Sequence, residues 1–485
     1  MRGPTMYGVV QLRRIGSEVG ANVEQASASR VARLLGAWQA DEASSATALR
    51  TALADLIEGA HLPSGQMMPT QRALAEALGI ARGTVSRAYA GLVASGHLSA
   101  RQGAGTFVRF GRRGTGDGHG RLASFDEGPA TVAIDLSSGA LPGGEVVARS
   151  MPEIGRLLHE HHLAGDGYHP AGLPELRAAI AATISQSGLP THSDEVLITA
   201  GSQQAVKLIA AAFAGPGSLV VVEDPTYRGA LEAFSGGGAR LRGVPMSPTG
   251  IDPDQLAGAA RNADLVYLQA ALHNPTGVHT SGRRRSEIAA AMHDQRAMVV
   301  DDQSSADLSW TRSGRLPGLE RDVDSERLLL VGTLSKLFWG GIRVGWIRGP
   351  KATIARLTDM RRGLDLSGSV LDQLAAVLVL PHAEAQQRAR REWLASQFSA
   401  ATTVIGSALP SWRWWLPAGG SGFWVDTGTD AVALAQRALA RGVRMTAGPA
   451  FSPHEAHGTF LRLPVWHPDG QFAEAMEIVA DLIRR

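Results

Sequence analysis

The chain contains no cysteine, which removes disulfides, thiolate nucleophiles and cysteine-ligated metal from consideration. Lysine is almost as scarce. Only Lys207, Lys336 and Lys351 occur among 485 residues, and every other basic side chain is arginine. Chemistry that needs a side-chain primary amine therefore has three candidates. Also missing is any stretch approaching the roughly 18–20 uninterrupted apolar residues of a membrane span. The opening segment, MRGPTMYGVVQLRRIG, lacks the compact apolar core and small-residue cleavage site of a signal peptide. These absences set the expectation of a cytoplasmic protein with no membrane partner and no metal.

What is present is ample material for a large core, with 44% apolar and 19% charged residues. The length exceeds one ordinary domain, so two or three are expected. The net charge of +2 hides an asymmetry. Residues 1–113 hold 13 Lys+Arg against 7 Asp+Glu, whereas the remainder holds 34 against 38. A basic N-terminal piece on an acidic body fits a polyanion-binding module joined to something else, although a small surplus also arises by chance.

Residues 1–45 read as an N-terminal extension, with helical spacing only from Ser29 to Trp38. Residues 46–108 form a compact unit. Thr47–Glu58 has Leu49, Leu53, Leu56 and Ile57 on one helical face. Thr70 is placed to cap a second helix ending at Gly79, and a third runs from Arg82 to about Ser95. Leu98–Val108 holds two extended runs around a Gly-containing turn. Residues 109–130 are rich in Gly and poor in apolar residues, which predicts a flexible linker. From 131 to 485, apolar runs such as Val196–Thr199, Leu219–Val222, Leu265–Leu268, Met298–Val300 and Leu328–Val331 alternate with helical segments. That alternation predicts an α/β domain with a mainly parallel sheet.

In the third helix Val85, Ala88, Tyr89, Leu92 and Val93 share the inward face. Arg82, Gly83, Thr84, Ser86 and Arg87 are left at its exposed N-terminal end, where a recognition helix meets the major groove. An ordinary helical hairpin with a solvated charged face has the same spacing. The wording of the segment goes further. Met68–Tyr89 (MPTQRALAEALGIARGTVSRAY), followed by LVASGHL and RQGAGTFV, resembles the GntR-type winged helix-turn-helix, an α+β unit. The resemblance implies contacts to double-stranded operator DNA from Arg72, Arg82, Thr84, Ser86 and Arg87, with Gln102 and Gly103 in the wing. Relatives often carry arginine where Ser86 stands and Ser or Thr at Ala81, so base preference here is expected to differ.

The larger segment holds the parts of a pyridoxal 5′-phosphate (PLP) site: an amine, a carboxylate for the pyridine nitrogen, a donor for the ring oxygen, a phosphate cradle and a flat stacking partner. Lys336 lies in the Gly-flanked turn GTLSKLFWGGIRVG after an apolar strand, a setting that lowers an amine's pKa. Lys207 sits within a helical run and Lys351 follows Gly349-Pro350, so both read as surface residues. Ser335 and Arg343 flank Lys336 and can bind phosphate. Gly201-Ser202-Gln203 opens a helix after a strand, a second phosphate cradle. Asp301 ends a strand, Asn274 lies in HNPTG, and Tyr227 closes DPTY. Singly, each of these is often a cap, a turn or a helix start; their order within one α/β domain is what counts.

That order resembles the fold type I aminotransferases over 131–485, a large α/β domain with a small C-terminal subdomain. The resemblance implies that Lys336 forms the Schiff base with PLP and that Asp301 faces the pyridine nitrogen. It further implies that Tyr168 reaches the phosphate of a neighbouring subunit, hence a homodimer, and that Arg462 in FLRL grips a carboxylate. A GntR-type winged helix joined to this domain resembles the MocR/GabR family of regulators. The implied function is a PLP-dependent, DNA-binding transcription regulator that senses an amine, an amino acid or PLP itself. A working aminotransferase with an ancillary winged helix is the alternative. One departure bears on the choice: relatives place a tyrosine shortly after the aspartate, where this chain has Asp302-Gln303-Ser304-Ser305.

Overall fold

The computed structural model describes residues 27–35, 38, 45–58, 62, 66–94, 97–101, 105–108, 122, 132–311, 314–467 and 470–484. Residues 1–26, the wing positions Gln102 and Gly103, and nearly all of the expected linker lie outside the described residues. The chain divides into two compact units, Met1–Gly120 and Arg121–Arg485.

In the first unit α1 (Ala28–Leu35), α2 (Ser45–Glu58), α3 (Gln71–Leu78) and α4 (Arg82–Ala94) precede an antiparallel hairpin of β1 (Leu98–Arg101) and β2 (Gly105–Val108). The α3 boundaries are set by local chemistry. The Thr70 hydroxyl accepts the Ala73 N–H at 3.2 Å, and Gly79 closes the helix at φ +64, a left-handed conformation costly for other residues. Leu49, Leu53 and Ile57 of α2, Leu74 of α3, and Val85, Ala88, Tyr89 and Leu92 of α4 meet in one core. The Tyr89 hydroxyl spends its polarity on the Pro69 carbonyl at 2.9 Å. Val93, expected inside, is exposed: it stands one position beyond the Leu92 face of the helix.

The second unit begins with β3 (Ile134–Asp135), α5 (Glu145–His161), α6 (Pro174–Gln186), β4 (Val196–Thr199), α7 (Ser202–Phe213), β5 (Leu219–Asp224) and α8 (Arg228–Gly236). It continues through β6 (Arg240–Ser247), β7 (Gly250–Ile251), α9 (Pro253–Ala260), β8 (Leu265–Leu268), α10 (Gly282–His293) and β9 (Met298–Asp302). Then come β10 (Leu328–Thr333), β11 (Gly345–Arg348), α11 (Lys351–Asp365) and α12 (Val370–Val379). The central sheet has the order β4-β11-β10-β9-β8-β5-β6-β7. Its middle, β10-β9-β8-β5-β6, is parallel, while β11 opposes both its neighbours, so β4 shares the sense of β10.

Both faces of the middle of this sheet are covered, which explains why β4, β5, β8, β9 and β10 begin as unbroken apolar runs rather than alternating, whereas the outer β6 does not. Val221, Val266, Val299, Leu328 and Leu330 face α5, α6, α9, α10 and α12. Their neighbours Val220, Val222, Leu265, Tyr267, Val300, Leu329 and Val331 face α7, α8 and α11. A smaller subdomain follows, with α13 (Ala383–Ala408), β12 (Arg413–Trp414), β13 (Gly422–Asp426), α14 (Ala431–Leu439), β14 (Val443–Arg444), β15 (Thr446–Ala447), β16 (Phe460–Pro464) and α15 (Gln471–Arg484). Its sheet β12-β13-β16-β15 is antiparallel, and β14 pairs with β3, tying the start of the unit to its end. Among the described residues no helix is long and apolar enough to cross a membrane.

Candidate functional site

The carboxyl ends of β4, β5, β8, β9 and β10 open onto one side of the sheet, where ligands of α/β folds collect. A cavity of about 320 Å³ lies there, lined among others by Ser202, Gln203, Tyr227, Asn274, Asp302, Ser335, Lys336, Arg343 and Arg462. Segments distant in sequence are thus brought together by the strand order alone.

Lys336 follows β10 on a turn that α13 clamps. Arg390 donates to the carbonyls of Leu337 (3.0 Å) and Phe338 (3.0 Å), and Gln386 donates to Leu337 (3.1 Å). The free surface of Lys336 faces the cavity, and its Nζ donates to the Gly139 carbonyl at 3.1 Å. Burial, reinforced by the charges of Arg462 and Arg228, pushes its amine down to about 8; Asp302 acts in the opposite sense. Of the other lysines, Lys207 is exposed on α7 and Lys351 pairs with Asp194 at 2.7 Å.

At one end of the cavity Gly201 caps α7 at φ +80 with no side-chain hydrogen bond to the helix. Among the described residues no side chain caps the first-turn N–H groups of α7 at Ser202 and Gln203. Arg343, at φ +55, donates through Nη2 to the Ala200 carbonyl at 2.5 Å. A Cβ on Gly201 would come within 3.0 Å of that guanidinium, so the glycine keeps the concavity open. Ser335 lies beside it, its hydroxyl accepting from Thr333 at 3.0 Å. Tyr227 is fixed by donation from its hydroxyl to Gln203 Oε1 at 2.9 Å, and burial raises that phenol to about 12.

The structure corrects the aspartate. Asp301 is fully buried and does not line the cavity. Its carboxylate accepts from the backbone N–H of Leu319 (2.7 Å) and Ala270 (3.2 Å) and from Gln303 Nε2 (2.9 Å). Asp302 is the carboxylate that reaches the cavity, because β9 continues past Val300 and alternation puts Val300 and Asp302 on the same face. The Tyr267 hydroxyl donates to Asp302 Oδ2 at 2.6 Å, and the Ser304 N–H donates to Oδ1 at 2.9 Å. Gln303, by the same alternation, turns away and donates to Asp301 and Glu320, leaving Ser304 and Ser305 on the cavity wall.

Arg462 of β16 enters from the small subdomain. It is buried, its Nη2 donates to Ser421 Oγ at 2.9 Å, and its Nη1 has no hydrogen-bond partner among the described residues. Such an orphan is costly unless a ligand satisfies it. A Cβ on Gly139 would lie 1.9 Å from Arg462 Nη2, so only glycine admits the guanidinium. Tyr168, in contrast, is 58% exposed and is not a lining residue of the cavity of its own chain. Sequence reasoning missed Arg228, Gln386, Arg390 and Tyr267. Arg228, directly after Tyr227, had a positional signal; the others act through distant backbone or through a neighbouring strand and had none.

In the N-terminal unit Arg72, Arg82 and Arg87 are exposed, and Ser86 is half-buried. Thr84 departs from expectation: it is 9% exposed, next to the inward-facing Val85, and its side chain is not presented with the arginines. Its backbone N–H is spent on the Ala81 carbonyl at 2.9 Å.

Two family models match the chain: bacterial regulatory proteins of the gntR family over 46–108, and aminotransferase class I and II over 131–479. The HTH-type transcriptional regulator YdfD of Bacillus subtilis is 27% identical, the match covering 83% of this chain and 88% of YdfD. The regulator TauR of Rhodobacter capsulatus is 28% identical over 86% of this chain and 91% of its own. Among solved structures, LysN, an α-aminoadipate aminotransferase of Thermus thermophilus complexed with N-(5′-phosphopyridoxyl)-L-leucine, superposes with a TM-score of 0.66. It is 26% identical, over 73% of this chain and 92% of LysN.

Proposed function

The chain belongs to the aminotransferase class I and II family and carries a GntR-type winged helix, the composition of the MocR/GabR regulators, and we propose that it is a transcription regulator whose DNA binding is set by an amine or amino acid held in a PLP site. The carrying observation is that one cavity gathers a depressed amine, a buried carboxylate and an anion cradle in a chain that also holds a DNA reader.

PLP supplies an aldehyde for Lys336 and a ring that withdraws electrons from a bound amine. The residues fit it. The α7 N-terminus at Gly201, Ser202 and Gln203, with Ser335 and Arg343, forms the phosphate cradle; Tyr227 is the flat partner. Asn274 would donate to the ring oxygen, and Asp302, held by Tyr267, would pair with the ring nitrogen. Arg462 takes the effector's carboxylate through its unpaired Nη1. Tyr168, exposed in its own chain, is assigned to the phosphate of a second copy in a homodimer. Arg72, Arg82, Ser86 and Arg87 are the operator contacts, the arginines acting on phosphates or guanine edges. For the effector to switch occupancy it must bind one arrangement of the regulator more tightly than another.

Lack of a tyrosine hydroxyl at Ser304 and Ser305 favours sensing over turnover, since proton transfer there has fewer donors. Borohydride reduction of the PLP-treated protein followed by peptide mapping tests the site, with the pyridoxyl label expected on Lys336. A label elsewhere, or none, defeats the site reading. Absence of any shift with DNA flanking its own gene, with or without PLP and amines, defeats the regulator reading.

A further inference from the structure

Two side chains of the cavity, Lys336 and Arg462, converge on one backbone oxygen, the second through a serine. The Gly139 carbonyl accepts from Lys336 Nζ at 3.1 Å and from the Ser421 hydroxyl at 3.1 Å. Ser421 Oγ in turn accepts from Arg462 Nη2 at 2.9 Å. Chemistry fixes the direction of this series. A guanidinium only donates and a carbonyl only accepts, so the hydroxyl between them takes from the arginine and gives to Gly139. Ser421 is 9% exposed and lines the cavity with Gly139 and Gly422.

The backbone around the pair leaves it little freedom. Ser421 directly precedes β13, whose Gly422 and Trp424 stand opposite Pro464 and Arg462 of β16, and its carbonyl accepts the Val465 N–H at 3.0 Å. A Cβ on Gly422 would lie 2.3 Å from the Leu463 carbonyl oxygen, so glycine there lets the two strands lie this close. On the other side, a Cβ on Gly139 would fall 1.9, 2.6 and 2.8 Å from Nη2, Cζ and Nη1 of Arg462. The guanidinium is thus pressed against Gly139 and tethered at one corner. Among the described residues the bond to Ser421 is the one hydrogen bond it makes, and buried Nη1 is left for a ligand. A guanidinium is a planar fork, so its tether decides which N–H edge faces the cavity. The same hydroxyl serves the lysine. A carbonyl has two lone pairs, and when Lys336 is committed to the cofactor aldehyde Gly139 still has Ser421 as donor.

We propose that Ser421 is a positioning residue of the effector site. Its hydroxyl, braced on the Gly139 carbonyl, turns Arg462 so that Nη1 meets the α-carboxylate of an amino acid, and so sets the preference for amino acids over amines that lack a carboxylate. This rests on the PLP-site reading above. The PLP-loaded full chain is titrated calorimetrically with L-alanine, L-leucine and L-phenylalanine, each against the amine without its carboxylate (ethylamine, 3-methylbutylamine and 2-phenylethylamine). In the wild type at least one amino acid is expected to bind about tenfold or more tightly than its amine, the scale of one buried charge pair. In Ser421→Ala that ratio is expected to fall by about tenfold, the scale of a hydrogen bond to a charged group, while the amine's affinity changes less than about threefold. Ser421→Thr keeps the hydroxyl and is expected to restore the ratio. An unchanged ratio in Ser421→Ala overturns the proposal. So does its loss in both variants, or an equal loss of amino-acid and amine affinity, the mark of a cavity disrupted as a whole. A wild type that does not discriminate defeats the carboxylate assignment of Arg462 and the proposal with it. Borohydride labelling of each preparation keeps these failures apart from failure of the site itself, which a missing label on Lys336 would mark.

Discussion

Because the chain has three lysines, the state of Lys336 can be read directly against two internal references. Trace acetylation of the cofactor-free protein across pH 6–12, quantified by mass spectrometry, gives each amine its own titration curve. At pKa about 8, roughly a tenth of the Lys336 amine is neutral at pH 7; at the ordinary 10.5 it would be about 0.03%, so the reactive fraction rises on the order of 300-fold. Lys351, exposed and paired with Asp194, has its amine raised above the ordinary value and must titrate later. The sign carries to stability. Between about pH 8 and 10.5 the unfolded chain binds more protons at this site than the folded one, so cofactor-free stability rises with pH across that window. Below it the penalty of burying the ammonium is present in full. Two variants move the midpoint in opposite directions: Arg462→Met raises it by removing a repelling cation, and Asp302→Asn lowers it by removing the acid that favours the ammonium. A Lys336 midpoint above about 10, or co-titration with Lys351, would refute the picture of a dehydrated, cation-lined cavity.

Asp301→Asn and Asp302→Asn separate the two adjacent aspartates. The first disrupts acceptors for Leu319, Ala270 and Gln303 and should cost about 1–3 kcal/mol in urea unfolding while the folded protein keeps its cofactor. The second should weaken PLP retention on dialysis by about tenfold or more, since a buried ring cation loses its partner. Gly139→Ala drives a methyl group into Arg462 and should abolish calorimetric binding of amino acids with Lys336 still labelled by PLP and borohydride. Arg87→Ala should weaken operator binding and lower the slope of log K against log[salt] by about 0.9, the signature of one lost phosphate contact; an unchanged slope would remove Arg87 from the DNA surface.

Much of the architecture is legible because it rests on local rules. Thr70 and Gly79 mark the ends of α3 by side-chain capping and by left-handed backbone, neither of which needs a tertiary partner. The strands at 196, 219, 265, 298 and 328 are unbroken apolar runs because both faces of the sheet are covered. The motifs around Asn274, Tyr227 and Lys336 are short because each sits on the loop at a strand end, where a few residues suffice to present a group. What resisted reading is the choice between neighbours on a strand. Asp301 and Asp302 are equivalent in composition and differ only in which sheet face they take, and a strand buried on both sides gives no alternation to say which face is which. The deciding information is elsewhere in the chain. Val300 faces the layer that contains α7 and α8, the layer that also supplies Ser202, Gln203 and Tyr227, so the residue two beyond Val300 must join them. The same parity withdraws Gln303 from the cavity and puts Ser304 on its wall, which moves the position of the missing hydroxyl from a buried amide to a serine of the cavity wall. Ser304→Tyr is therefore the substitution that asks whether a sensing cavity lacks only a proton donor. If turnover of amino acids with 2-oxoglutarate rises in that variant while the Lys336 midpoint stays near 8, the limitation lies in proton transfer rather than in the amine. No rise with the cofactor retained would place the limitation in the cavity's shape and charge instead.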